Sequence, residues 1–403
     1  MTDTVIFRQD DPAFLVNPYP TYASLHANSP TFYHEESGMW FFTRHRDVNS
    51  ILRDRRFGRS ILHLLSREEL DMPPDNPAYE PFTKLGRHSM FDKEPPEHTR
   101  LRNLVHKAFT PKRIRDLQAS IQQIADDLLD NAAQHTEMDV LADYAAPLSV
   151  AVISTLLGVP ESDRGKLRPW SNAIVKMYEL GHTLQQAQDA IDASQEFADY
   201  LIALASQRKV NPQNDLITAL ALVEEAGDTL TEDELVSTCV LLLNAGHEAT
   251  VNVIGNGMRA LFNYPNKLTQ LQNNPSLLYT AIEELMRFDT PLQLFRRWVL
   301  EDLTYDGIEL KQGTEVALMF GAANRDPDVF ENPGELNLTR TPNPHISFGG
   351  GVHFCIGAPL ARMELKVAYS SLLRRFPNIT LKTEPHYHPT YVIRGLDALH
   401  VTL

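Results

Sequence analysis

The sequence predicts a mainly α-helical chain with smaller β-sheets, an α+β class. Three observations carry this. Apolar residues recur at helical spacing through most of the middle of the chain. One helical segment there, opening at Thr231, runs on to about Asn263 before Pro265. Segments rich in β-formers are short and sit near the two ends.

Taken in order, Tyr19 to His26 follows Asn17-Pro18 and reads as a short helix. Met39-Trp40-Phe41-Phe42-Thr43 and its surroundings read as a hairpin. Ser60 to Lys93 is irregular, with Pro73-Pro74, Pro77 and Gly86, and loops of this length are usually functional or disordered. Pro111 to Gln134, Asp163 to Gly181 and Leu184 to Lys209 carry helical spacing. Thr231 as N-cap with Glu234 makes a capping box, because each side chain can satisfy the other's backbone N–H. The helix it opens is roughly 45 Å long at about 1.5 Å per residue. A further helix spans about Pro275 to Phe288. Thr304 to Leu310 and Glu315 to Phe320 are short strands, Asn324 to Pro344 is irregular, and a glycine-rich loop runs into a helix from about Pro359 to Arg375. Thr390 to Val401 reads as strand pieces around Arg394-Gly395. Without repeats or a low-complexity linker, the expectation is one domain over 1–403.

Composition narrows the function. The 37 Lys and Arg against 52 Asp and Glu leave a net charge of −15, which disfavours coating nucleic acid or anionic membrane. The N-terminus lacks a basic stretch followed by an apolar one, and the most apolar run, Tyr144 to Val159, is broken by Pro147. The expectation is a cytoplasmic protein with no membrane or nucleic-acid partner. Two cysteines, Cys239 and Cys355, exclude a disulfide scaffold and a Cys-rich zinc module. One catalytic or metal-ligating thiolate remains open.

Cys355 lies in F-G-G-G-V-H-F-C-I-G-A-P-L-A-R, with glycines at 349, 350, 351 and 357. A ligating thiolate needs nearby N–H groups and a positive field to lower its pKa. Glycines permit the tight backbone and the approach of a large flat ligand. The helix that follows brings the positive end of its dipole.

This string resembles the cysteine loop of the cytochrome P450 family, F-G-x-G-x-H-x-C-x-G followed by L-A-R. Phe348, Gly349, Gly351, His353, Cys355, Gly357, Leu360, Ala361 and Arg362 match it. The resemblance implies a P450-type fold, with a long central helix over a haem b (iron protoporphyrin IX) and Cys355 as the axial thiolate of its iron. Glu284-Leu285-Met286-Arg287 fits the family's E-x-x-R, a structural pair at i, i+3. Buried propionates need cations. The resemblance points to His98 and Arg102 in Glu94-Pro95-Pro96-Glu97-His98-Thr99-Arg100-Leu101-Arg102, to Arg297, and to His353.

Asn244-Ala245-Gly246-His247-Glu248-Ala249-Thr250 resembles the family's oxygen-binding motif A-G-x-[D/E]-T. Ala245-Gly246 would let the backbone pass close over the haem, with a kink that leaves room for dioxygen. The family's threonine, which helps deliver protons, follows the acid directly. Here Ala249 holds that place and Thr250 comes one later, about 100° around the helix. Either Glu248, water and a substrate hydroxyl carry the protons, or the chemistry departs from ordinary hydroxylation. A second departure is Glu335, where the family usually has an arginine that joins Glu284 and Arg287. Arg325 and Arg340 are candidate replacements.

The resemblance runs from Asn17-Pro18 to Arg394-Gly395 and implies a monooxygenase acting on a small molecule and O2, monomeric, with electrons from a ferredoxin or flavodoxin and its reductase. The basic stretch His98 to Arg115 offers Arg100, Lys107, Lys112 and Arg113 as a docking patch for an acidic donor. Ile61, Leu62, Leu64, Leu65, Met90, Met177 and Phe295 suggest an apolar or amphipathic substrate. Two further readings stay open: atypical haem-thiolate chemistry (oxidative coupling, rearrangement or peroxide-driven oxidation), and a non-catalytic haem sensor.

Overall fold

The architecture was analysed in a computed structural model, which describes residues 7–178, 183–225 and 227–403. It is mainly α with small sheets, as the periodicity predicts. By packing, the chain groups into two compact units: Met1–Ile61, Ala125–Ala146 and Ala249–Leu403 in the first, Leu62–Ile124 and Pro147–Glu248 in the second.

The first unit holds a five-stranded sheet in the order Thr31–His34, Met39–Phe42, Glu315–Leu318, Phe295–Val299, Phe57–Gly58. Only the pairing of Met39–Phe42 with Glu315–Leu318 is parallel, with Ala317 opposite Phe41. Alternation along the strands buries opposite faces in two cores. Phe42, Val316 and Leu318 pack with Val48, Ile51 and Ile346. Phe41 and Ala317 pack with Phe14, Tyr22 and Leu25. Ile346 carries the first core to the doorstep of the cysteine loop.

The helix Ala358–Arg375 is tied to the second half of the long helix by Tyr369, whose hydroxyl donates to the carbonyl of Val253 at 2.7 Å. Gly257 makes this possible, because a Cβ there would fall 2.0 Å from that hydroxyl. The long helix itself spans Glu232–Asn263. Its capping box forms as expected: Thr231 N donates to Glu234 Oε2 at 2.9 Å and Glu234 N to Thr231 Oγ1 at 3.2 Å.

Among its described residues, the second unit is helix and loop apart from the antiparallel strand pair Glu224–Glu225 and Asp228–Thr229. Leu184–Val210 packs along Arg164–Val175, where Trp170 stacks on Phe197 at 5.2 Å.

Several local expectations change. Ser60 to Lys93 contains a helix, Glu80–Arg87, hidden among prolines because two turns give too short a periodic signal. The expected helix Pro111 to Gln134 is two, Pro111–Asp116 and Gln118–Ala132. The helix begun near Asp163 ends at Val175, passes into a tight turn Lys176–Tyr178, and its expected end near Gly181 lies outside the described residues. Val140–Leu157 is apolar and long enough in composition to cross a membrane, and 67% of it is buried inside the protein.

Candidate active site

The cysteine loop belongs to the first unit. Gly349 and Gly351 take left-handed backbone, φ 69° and 65°. Gly351 is required on two counts, since a Cβ there would also lie 2.0 Å from the carbonyl oxygen of Leu52. The turn Gly351–His353 follows, and Cys355 N donates to the Phe348 carbonyl at 3.0 Å, closing the loop. Gly357 is not sterically demanded, because a Cβ there would sit 3.8 Å from the Cys355 sulfur, an ordinary contact. Cys355 is partly exposed, just ahead of the eighteen-residue helix Ala358–Arg375 and its positive dipole end. Cys239 is its opposite: fully buried, its thiol pushed up to about 12 by burial and then by Asp215, and inert.

Arg297 projects from Phe295–Val299 and is 3% exposed. It donates to the Arg296 carbonyl at 3.0 Å and lies 5.1 Å from the Phe295 ring centre. Arg59, which no motif singled out, donates to the same carbonyl at 3.2 Å and lies 4.7 Å from the same ring. Two guanidinium groups thus stand together where the sequence suggested one.

The E-x-x-R residues form the expected ion pair, and the structure buries it. Arg287 Nε and Nη2 reach Glu284 at 2.7 and 2.8 Å, and neither side chain is exposed. The missing arginine at Glu335 is replaced by Arg340, whose Nε reaches Glu284 Oε2 at 3.0 Å. Arg287 takes the Glu335 backbone carbonyl instead, at 3.3 Å. Arg325 does not join: its guanidinium is sandwiched between Tyr19 and Phe288, 3.9 Å from each ring centre.

In the second unit, His98 and Arg102 share the helix Glu97–Ala108 one turn apart, His98 buried and Arg102 partly exposed. The proposed docking patch shrinks. Arg100 is bound to Asp228 and Glu234, and Lys107 reaches the Glu224 carbonyl at 3.3 Å and Glu225 at 3.8 Å. Lys112, Arg113 and Arg115 remain on the short exposed helix that follows. Of the apolar residues expected to line a pocket, Ile61 and Met90 are buried, whereas Leu62 and Leu64 are each 48% exposed. An open depression of about 570 Å³ beside Trp170, Glu196 and Tyr200 includes none of the expected catalytic or cofactor residues.

The long helix runs through Ala245-Gly246 without interruption. The small glycine there accommodates a neighbouring helix, since its Cβ position faces Ile153 at 3.4 Å. Ala245 and Ala249, one turn apart, are exposed in a helix that otherwise buries Leu242, Leu243, His247 and Thr250. Ala249 therefore shares Ala245's open face, and Thr250, 5% exposed, is turned from it. Glu248 Oε1 lies 3.2 Å from Nε2 of the buried His247.

Among the described residues no cluster of three or more His, Cys, Asp or Glu forms a metal site. A lone thiolate holds a metal when the other ligands arrive with it, as a porphyrin's do. The partly exposed Cys355, the left-handed loop and the buried Arg297 fit such a group. The fold and loop define a haem-thiolate protein.

The comparisons specify it further. The family model Cytochrome P450 matches residues 164–390. The chain is 41% identical over 368 residues to the polyketide biosynthesis cytochrome P450 PksS of Bacillus subtilis (strain 168), covering 90% of this chain and 89% of that one. It is 37% identical to the vitamin D(3) 25-hydroxylase of Pseudonocardia autotrophica, covering 97% and 94%. The solved structure of P450BioI in complex with a hexadec-9Z-enoic acid ligated acyl carrier protein superposes with a TM-score of 0.89 at 36% identity, covering 97% of this chain and 99% of that one. The chain belongs to the cytochrome P450 family and is a haem-thiolate monooxygenase.

Proposed function

We propose that the chain binds haem b through Cys355 and oxidises, by hydroxylation or epoxidation, an apolar or amphipathic small molecule. The bound haem-thiolate would activate O2 and supply the oxygen atom. Cys355 carries this reading: a partly exposed thiol on a loop whose turn only glycine can make, at a helix's positive end. Arg297, His353, His98 and Arg102 would neutralise the propionates, a role supported by the burial of Arg297 and His98. Phe348, Gly349 and Gly357 would frame the cysteine, and Ala245 and Ala249 would present a small-residue face to bound oxygen and substrate.

With Ala249 on that face and Thr250 turned away, no side-chain hydroxyl of the motif serves it. Glu248, ordered water and a hydroxyl of the substrate itself would then pass the protons. The same observation favours a second reading, atypical chemistry such as oxidative coupling. The relatives' names fit a largely apolar substrate: vitamin D(3) in one, a hexadec-9Z-enoic acid on its carrier protein in another. Electrons would come from a cytoplasmic ferredoxin or flavodoxin with its reductase, docking near Lys112, Arg113 and Arg115.

The test is the spectrum of the reduced, carbon-monoxide-bound protein. The expected result is the red-shifted Soret band of a thiolate-ligated haem. An unshifted band would overturn the reading. A spin-state screen against compounds of graded polarity then identifies the substrate class.

A further inference from the structure

We propose that Glu283, His345 and Arg362 form an electrostatic clamp that tunes the Cys355 thiolate and keeps it ligated. The inference rests on the haem-thiolate reading above.

Glu283 and Glu284 are neighbours on the helix Leu278–Phe288 and so point about 100° apart. Glu284 holds the irregular stretch around Arg340. Glu283 turns to the cysteine loop and grips both of its ends. From the far end, Arg362 Nε and Nη2 donate to its two oxygens at 2.7 and 2.8 Å, a bidentate fork. From the near end, His345 Nε2 donates to Oε2 at 2.9 Å. The ring's tautomer follows from its other nitrogen, which accepts Ser347 N–H at 3.3 Å. Burial alone would raise the Glu283 carboxyl, but the bonds from Arg362 and His345 hold it down at about 2. It stays a carboxylate at any working pH.

The clamp also aims a charge. The Arg362 guanidinium lies 4.5 Å from the Phe348 ring centre, and Phe348 is the residue whose carbonyl takes the Cys355 N–H. Phe348 in turn meets the rings of His345 at 6.1 Å and Phe354 at 6.3 Å. The positive end of the ion pair therefore stands at the aromatic wall of the loop. The Glu283 side chain is 15% exposed and that of Arg362 33%, so water screens the pair only in part. A cation there favours the more negative, reduced state of a ligated iron. Glu283 sets how much of that charge the sulfur feels. Both are positioning residues.

The test compares holoenzyme of wild type, Glu283→Gln and Arg362→Gln. The wild-type CO spectrum comes first: an unshifted Soret band there defeats the haem-thiolate reading itself. Given the shifted band, the one-electron reduction potential is measured. Glu283→Gln should raise it and Arg362→Gln lower it, each by about a tenfold change in the ferric–ferrous equilibrium, about 59 mV. In both variants the CO-bound band should lose its red shift at lower urea than in wild type. A clamp with a merely structural role would loosen haem in both but move the potentials together or not at all, and that result overturns the proposal. Should Glu283→Gln fail to bind haem, Arg362→Lys carries the test. It keeps the charge and loses the fork, so its potential should stay near wild type while the thiolate is lost at lower urea. A fall matching Arg362→Gln would overturn the proposal.

Discussion

Arg340→Met tests the claim that Arg340 fills the role left open by Glu335. Glu284 is fully buried and receives Arg287 twice, Arg340 Nε at 3.0 Å and the Asn337 N–H at 2.9 Å. Arg340 also donates to the Glu331 carbonyl at 2.9 Å. Removing it deletes one hydrogen bond between charged groups, about 1.5–3 kcal/mol, and leaves a carbonyl short of a donor, about 1 kcal/mol more. Arg287 remains, so the loss should stay below the 3–5 kcal/mol roughly expected when a buried charge loses its partner outright. At about 2.1 cal/mol/K per residue, 403 residues unfold with an entropy of roughly 0.85 kcal/mol/K, so a loss of about 3 kcal/mol lowers the midpoint by about 3–4 °C. Thermal unfolding of the holoenzyme, followed by far-UV circular dichroism, reads this. Glu335→Arg should change nothing, because its place is taken. An unchanged midpoint for Arg340→Met, or a clear gain for Glu335→Arg, would refute the reasoning.

Three further outcomes are expected. Gly351 and Gly307 both take left-handed backbone, φ 65° and 82°, and no atom lies within 4 Å of a Cβ built on Gly307, so Gly351→Ala and Gly307→Ala both incur a penalty of roughly 1–2 kcal/mol. Only Gly351 adds a collision with the Leu52 carbonyl, so it alone should abolish haem loading, as the Soret absorbance per protein will report. The Glu283 carboxyl is depressed to about 2, so its contribution to stability is present above the ordinary carboxylate range and lost as pH falls through about 2. Acid unfolding of wild type should therefore be steeper between about pH 4.5 and 2 than that of Glu283→Gln, and parallel limbs would contradict this. Ala249→Thr should lower peroxide released per product whereas Thr250→Ala leaves it unchanged. Unchanged coupling in Ala249→Thr would remove the support for a substrate hydroxyl in proton delivery.

The parts legible in the sequence were those set by neighbours along the chain. The capping box at Thr231 and Glu234 fixed a helix start, Pro265 its end, and the structure follows both. The glycine pattern around Cys355 announced a strained turn, and Gly351 has one. Glu80–Arg87 was missed because eight residues between prolines show too few turns for periodicity to register. The small pair Ala245-Gly246 announced a close approach to the long helix, and at Gly246 the neighbour is Ile153, because a small residue on a helix signals close approach without naming what approaches.

Partner choice among charges was the part that local pattern could not reach. Arg325 and Arg340 were equal candidates for Glu284, and packing chose Arg340, leaving Arg325 between two rings. Arg100 looked like a free docking cation until Asp228 and Glu234 came to it from far along the chain. Arg59 joined Arg297 only because the strands Phe57–Gly58 and Phe295–Val299 pair. By itself, then, the sequence determined the long capped helix, the cysteine turn and the chemistry its thiolate permits, since these depend on spacing and on conformations only certain residues adopt. The tertiary structure alone decided which charges neutralise which, because ion pairs form between side chains that folding brings together from distant parts of the chain.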